Sequence, residues 1–152
     1  MAKMKTYRIE ARSDEKYKVT VQAGERTLYV DQPVFAGGGD AGASPIDYLF
    51  ASLAGCIATT ARIIANQKKL NLNGMDIKVE GAMDLDVIYG KGRDNRPGLS
   101  GINVSVALDS GMSEVERKGF LEELRMRCPV YDSINEATPV MIAAASQTIT
   151  VP

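Results

Sequence analysis

The chain has 152 residues, a formal net charge of −1, two cysteines and no histidine. Without a basic field it is a poor match for nucleic acid, and without histidine it lacks the commonest metal ligand and the commonest general base. The length fits a single domain, 1–152, and 45% hydrophobic residues are enough for an ordinary core.

Taken in chain order, the pattern predicts an α+β fold. Tyr7, Ile9 and Ala11 alternate with Arg8 and Glu10, and Tyr17, Val19 and Val21 alternate after a turn at Ser13-Asp14-Glu15. A second turn at Ala23-Gly24-Glu25 leads to a third strand over 27–30, which makes an N-terminal antiparallel β-meander. The glycine-rich run 36–43 reads as a flexible loop; it lacks the GK[ST] ending of a phosphate loop. A long central helix follows over 44–70, with Ser44 as N-cap, Pro45 at the first position and Asp47 completing a capping-box pattern. No charge lies between Asp47 and Arg62, so the helix is expected to be buried on most sides. Its uncharged run is short and rich in small polar residues, so no membrane span is expected. Asn73-Gly74 reads as the stop.

A second β-segment is predicted from Ile77 to Met83, extending to Tyr89, then a polar loop over 90–101 and a strictly alternating strand over 102–108. Ser113, with Glu116 three residues on, opens another helix that Pro129 must end. Cys128 lies at that break, with a short helix to Ser133 after it and a last strand over 147–151. The N-terminal MAKMKTYRIE has no apolar signal core, so a cytoplasmic location is expected. In that compartment two cysteines suggest reactive thiols more than a structural staple.

Two thiols without histidine make a poor zinc site and a plausible redox pair. One thiolate attacks an O–O bond, the resulting sulfenic acid condenses with the other thiol, and a thiol reductant resets the disulfide. Buried bystander cysteines are the competing reading. Local physics ranks Cys128 as the more acidic thiol, since it opens a helix near Arg125 and Arg127. Cys56, inside an apolar helix, needs a cation from elsewhere. By spacing alone Asp47 is a helix cap.

SPIDYLFASLAGCIATT resembles the helix motif of the OsmC/Ohr family of osmotically inducible and organic hydroperoxide resistance proteins, and CPVYDSI resembles its second motif. The order of elements matches over nearly the whole chain. The resemblance implies an intertwined homodimer with active sites at the subunit interface. It implies thiol-dependent reduction of organic hydroperoxides to alcohols, with no bound cofactor and an external reductant, a dithiol such as a lipoyl group. Cys56 then takes the peroxidatic position and Cys128 the resolving one, the reverse of the local ranking. Asp47 stands where the family has a glutamate. Arg12, in the first hairpin, roughly matches the arginine of one branch; Arg26 is the alternative. An apolar pocket around Cys56 would favour alkyl hydroperoxides over hydrogen peroxide. Readings from another class are a non-enzymatic small-ligand-binding protein or a redox sensor on the same scaffold.

Overall fold

The computed structural model describes residues 3–14, 16–92 and 95–144. They fall into two compact units, Met1–Leu49 with Pro139–Pro152, and Phe50–Thr138. The strand expected over 147–151 lies outside the described residues.

The first unit is built on the expected meander. Strands β1 (Glu10–Ser13), β2 (Val19–Ala23) and β3 (Arg26–Val30) pair antiparallel in that order, with Arg12 opposite Thr20 and Thr20 opposite Tyr29. Gly24 takes φ +63° in the β2–β3 turn, a conformation that glycine adopts without strain. The glycine-rich run is a pinned segment rather than a flexible loop. The buried carboxylate of Asp31 accepts the N–H groups of Gln32 (2.8 Å), Gly39 (3.0 Å) and Ala41 (3.1 Å). These donors, that of Ala41 first, hold its carboxyl below the usual carboxylate range, with a smaller contribution from Lys18. The backbone lies so close that a Cβ on Gly38 would sit 1.8 Å from the Gln32 oxygen.

The second unit holds most of α1 (Pro45–Lys68), a two-stranded antiparallel sheet and three shorter helices. Strands β4 (Leu72–Ala82) and β5 (Gly101–Ser110) pair Ile77 with Val106 and Val79 with Val104. Their alternate side chains pack against a core of Leu53, Ile57, Ala61, Ile64, Phe120 and Leu124. Helix α2 (Leu85–Ile88) follows β4; α3 (Glu114–Arg127) and α4 (Pro129–Asn135) follow β5.

Several local expectations need correction. Asn73-Gly74 is not the stop of α1: Lys69, at φ +56°, turns the chain, and Asn73-Gly74 lies within β4 at a register shift. Residues 83–89 do not extend the strand, because the Asp84 side chain accepts the Asp86 N–H and caps α2. Within one chain α1 is buried along one stripe; Ala51, Ser52, Gly55 and Thr59 are exposed, and Ile63 is 45% exposed. By length and composition alone α1 is apolar enough to cross a membrane, contrary to the reading from its uncharged run. Its buried stripe, Leu53, Ile57, Ala61, Ile64 and Ala65, instead packs in a protein core.

Candidate active site

Helix α1 presents Cys56 beside Leu53 and Ile57, half-buried and packed against the core. Cys128 reaches the same place from the α3–α4 junction. Pro129 lacks an N–H and cannot continue α3, and the residue before a proline is driven out of the helical region. Cys128 accordingly has φ −86° and ψ 106°, ending α3 and capping α4, whose first turn closes from the Asp132 N–H to the Cys128 carbonyl (3.0 Å). The kink turns its side chain inward, where it is fully buried.

The two sulfurs, 72 positions apart in sequence, are 3.3 Å apart, with the Cys128 thiol donating to Cys56 Sγ. Both are free thiols. Burial pushes the Cys128 thiol up, and the neighbouring Cys56 sulfur adds to this; the N–H groups of Tyr131 and Val130 offset only part. The local expectation of an acidic Cys128 thiol is therefore not met. The helix-start effect is present, but desolvation outweighs it. Nor do the nearby arginines serve this sulfur. Arg127 donates to Glu123 and to Gln67, both at 2.8 Å, and Arg125 stacks 5.8 Å from the centre of the Tyr131 ring.

Those arginine contacts position the junction. Glu123 on α3 pairs with Arg127 one turn later and with Lys68 at the end of α1. Hydrogen bonds from Lys68 and then Arg127 hold the Glu123 carboxyl below its usual range. Together with Arg127–Gln67, the bridge ties α3 to α1 next to Cys128. Sequence reading missed this clamp. The i, i+4 spacing of Glu123 and Arg127 was its one local signal; the contacts to α1 had none.

In the same unit, Ile57, Ile102, Val104, Val106, Leu121, Leu124, Arg125 and Tyr131 line a cavity of about 280 Å³. Two of its walls adjoin the pair: Ile57 follows Cys56 in α1, and the Tyr131 N–H points at the Cys128 sulfur.

Arg12 and Asp47 belong to the other unit, and each has a local partner there. Arg12 Nε donates to Asp14 Oδ1 at 3.1 Å, in an exposed ion pair. Asp47 Oδ2 accepts the Ser44 N–H (3.0 Å) and Oγ–H (2.6 Å), while the Asp47 N–H donates to Ser44 Oγ (3.3 Å). That is the reciprocal capping box expected from the spacing. Arg26 opens β3. Among the described residues no group of three or more Cys, Asp or Glu side chains is placed to hold a metal ion.

A family model described as OsmC-like protein matches residues 37–143. A hydroperoxide reductase of Mycoplasma pneumoniae is 28% identical over 101 residues, 66% of this chain and 68% of its own length. The crystal structure of an OsmC-like protein from the same organism superposes with a TM-score of 0.74 at 26% identity, covering 86% of this chain and 88% of its own. An organic hydroperoxide resistance protein from Legionella pneumophila shares the fold at 19% identity, with a TM-score of 0.60 over 88% of this chain and 91% of its own.

Proposed function

The chain belongs to the family of OsmC-like proteins, and on that premise we propose that it is a thiol-dependent peroxidase that reduces organic hydroperoxides to alcohols through a Cys56–Cys128 disulfide cycle. The observation that carries the reading is the 3.3 Å separation of two reduced sulfurs contributed by segments 72 positions apart. A relative named hydroperoxide reductase supports the same chemistry.

In the proposed cycle the Cys56 thiolate attacks the distal oxygen of ROOH. The O–O bond breaks, ROH leaves with a proton, and Cys56 becomes a sulfenic acid. The Cys128 sulfur then attacks the Cys56 sulfur, water leaves and the disulfide forms. An external dithiol, such as a lipoyl group, restores both thiols and is itself oxidised to a disulfide. The unequal burial of the sulfurs fits these roles, because the more accessible Cys56 meets the peroxide and the buried Cys128 meets only Cys56. The apolar cavity lined by Ile57 and Tyr131, chain neighbours of the two cysteines, favours an alkyl or aryl substituent on the peroxide.

The proposal assigns Arg12, or Arg26, to hold the Cys56 thiolate and the developing alkoxide, with Asp47 orienting that arginine. It includes a homodimer whose partner covers the exposed side of α1. A cytoplasmic location is part of the same reading.

The test is a thiol count and intact mass before and after one equivalent of cumene hydroperoxide, with hydrogen peroxide in parallel. Loss of both thiols, a mass lower by two hydrogens and recovery with a dithiol support the cycle. Cys56→Ser should consume no peroxide, and Cys128→Ser should undergo one oxidation without turnover. Survival of both thiols would leave the cavity, and hence the ligand-binding reading, as the better account of this site.

A further inference from the structure

We propose that the reduced Cys56–Cys128 pair is a chelating site for trivalent organoarsenicals, compounds of the type R–As=O with an apolar R group. The inference starts from sulfur geometry and ligand supply. Zinc bound by thiolates has bonds of about 2.3 Å and tetrahedral angles, which place two sulfurs about 3.8 Å apart and demand two further protein ligands. The sulfurs here are 3.3 Å apart. The chain has no histidine, and the described residues offer no cluster of three or more ligating side chains.

Trivalent arsenic asks for something different. It is pyramidal and thiophilic, and it needs only two protein ligands when its third position carries carbon. Its sulfur–arsenic–sulfur angle is close to a right angle. With bonds of similar length, about 2.3 Å, that angle sets the two sulfurs about 3.3 Å apart. The pair therefore matches the bite of a dithioarsonite as it stands.

The surroundings suit the organic group as well. Cys128 belongs to the core cluster that holds Leu53, Ile57 and Leu124, and Cys56 packs against it, so an apolar R group leaves water on binding. Inorganic arsenite would instead bring a hydroxyl into that environment, at a desolvation cost if it finds no partner. Half-buried Cys56 is the point of entry, and fully buried Cys128 closes the ring. The balance is simple: R–As=O and two S–H groups give two As–S bonds and one water. Neither arsenic nor sulfur changes oxidation state. Only reduced thiols take part, so the disulfide form binds nothing and arsenic capture excludes the peroxide reaction.

The inference needs two reduced, adjacent thiols and does not depend on the peroxidase reading. The test uses the full chain, reduced with a phosphine that is then removed, and one equivalent of phenylarsine oxide. The expected result is one phenylarsenic unit per chain by intact mass, both thiols lost, a higher melting temperature, and no uptake by the oxidised protein. Chelation should make release require about a hundredfold more competing monothiol than release from Cys56→Ser or Cys128→Ser. Inorganic arsenite should bind more weakly than phenylarsine oxide. Loss of only one thiol, or release from the wild type at the same monothiol concentration as from the single-cysteine variants, would overturn the proposal. Should a variant fail to fold, the thiol count and melting shift of the wild type still decide. Disulfide formation with cumene hydroperoxide, measured on the same sample, separates failure here from failure of the peroxidase reading.

Discussion

Closing the Cys56–Cys128 disulfide should raise the melting temperature of the protein by about 2–15 °C. The two sulfurs are 72 positions apart and lie 3.3 Å from one another before any bond forms. A cross-link closing a loop of that length removes chain entropy from the unfolded state worth about 4 kcal/mol at room temperature. Against this stands the strain of drawing the sulfurs to a bond length of about 2.04 Å, a movement of about 1.3 Å. Small χ1 rotations of both side chains can supply it, at up to about 1.5 kcal/mol each. The net gain is about 1–4 kcal/mol, and each kcal/mol moves the melting point of a chain this size by about 2–4 °C. The assay is calorimetry on reduced protein and on protein oxidised by one equivalent of alkyl hydroperoxide, with intact mass verifying one intramolecular disulfide. An oxidised form that melts at or below the reduced form would refute the reasoning. It would mean that the helix and the junction must distort before the sulfurs join.

Three further perturbations probe the frame around the pair. Leu124→Ala removes a nearly fully buried side chain one turn before Cys128, next to an existing cavity; it should cost about 3–4 kcal/mol and speed thiol labelling of Cys128, both readable from a melt and a labelling time course. Ser113→Ala deletes the side-chain acceptor of the Glu116 N–H and should lower stability by about 1 kcal/mol in a denaturant titration. The folded-state pKa of Asp31 lies below its ordinary value, so its contribution is full above about pH 4 and is lost as pH falls through the lower folded value. Amide exchange at Gly39 and Ala41 should therefore stay slow at neutral pH and accelerate under acid relative to other amides, and Asp31→Asn should remove that acid-dependent step; fast exchange at pH 7 would contradict the pinned loop.

What was legible in the sequence was local. The capping boxes at Ser44 and Ser113 need only a side chain and an N–H three residues apart, and both form as read. The break at Pro129 follows from a missing donor, and the meander from period-two alternation closed by Gly24. The errors share a cause, competition between local signals or forces of unequal strength. Alternation over 83–89 lost to one carboxylate, Asp84, capping a turn. Asn-Gly at 73–74 reads as a turn, yet pairing with β5 draws it into a strand. Asp31 offered no sequence cue, because its value lies in two donors eight and ten residues away.

The sulfur pair shows where that boundary falls for function. Each cysteine was visible, and so was the force acting on each alone. The proposed roles rest on a long-range fact, that Cys128 is closed off from solvent while Cys56 is half open. At Cys128 desolvation then outweighs the helix-start effect and pushes the thiol up. A buried thiol with a raised pKa is a poor first nucleophile toward a peroxide in solution. Held 3.3 Å from its partner, it does not have to be a good one. In the proposed cycle proximity replaces intrinsic reactivity in an intramolecular step, and burial would keep Cys128 from oxidants that Cys56 meets first. The same enclosure predicts that a bulky alkylating reagent labels Cys56 well before Cys128 in the folded protein, and both equally once it is unfolded. Labelling in the opposite order would reverse the assignment of attacking and resolving thiol.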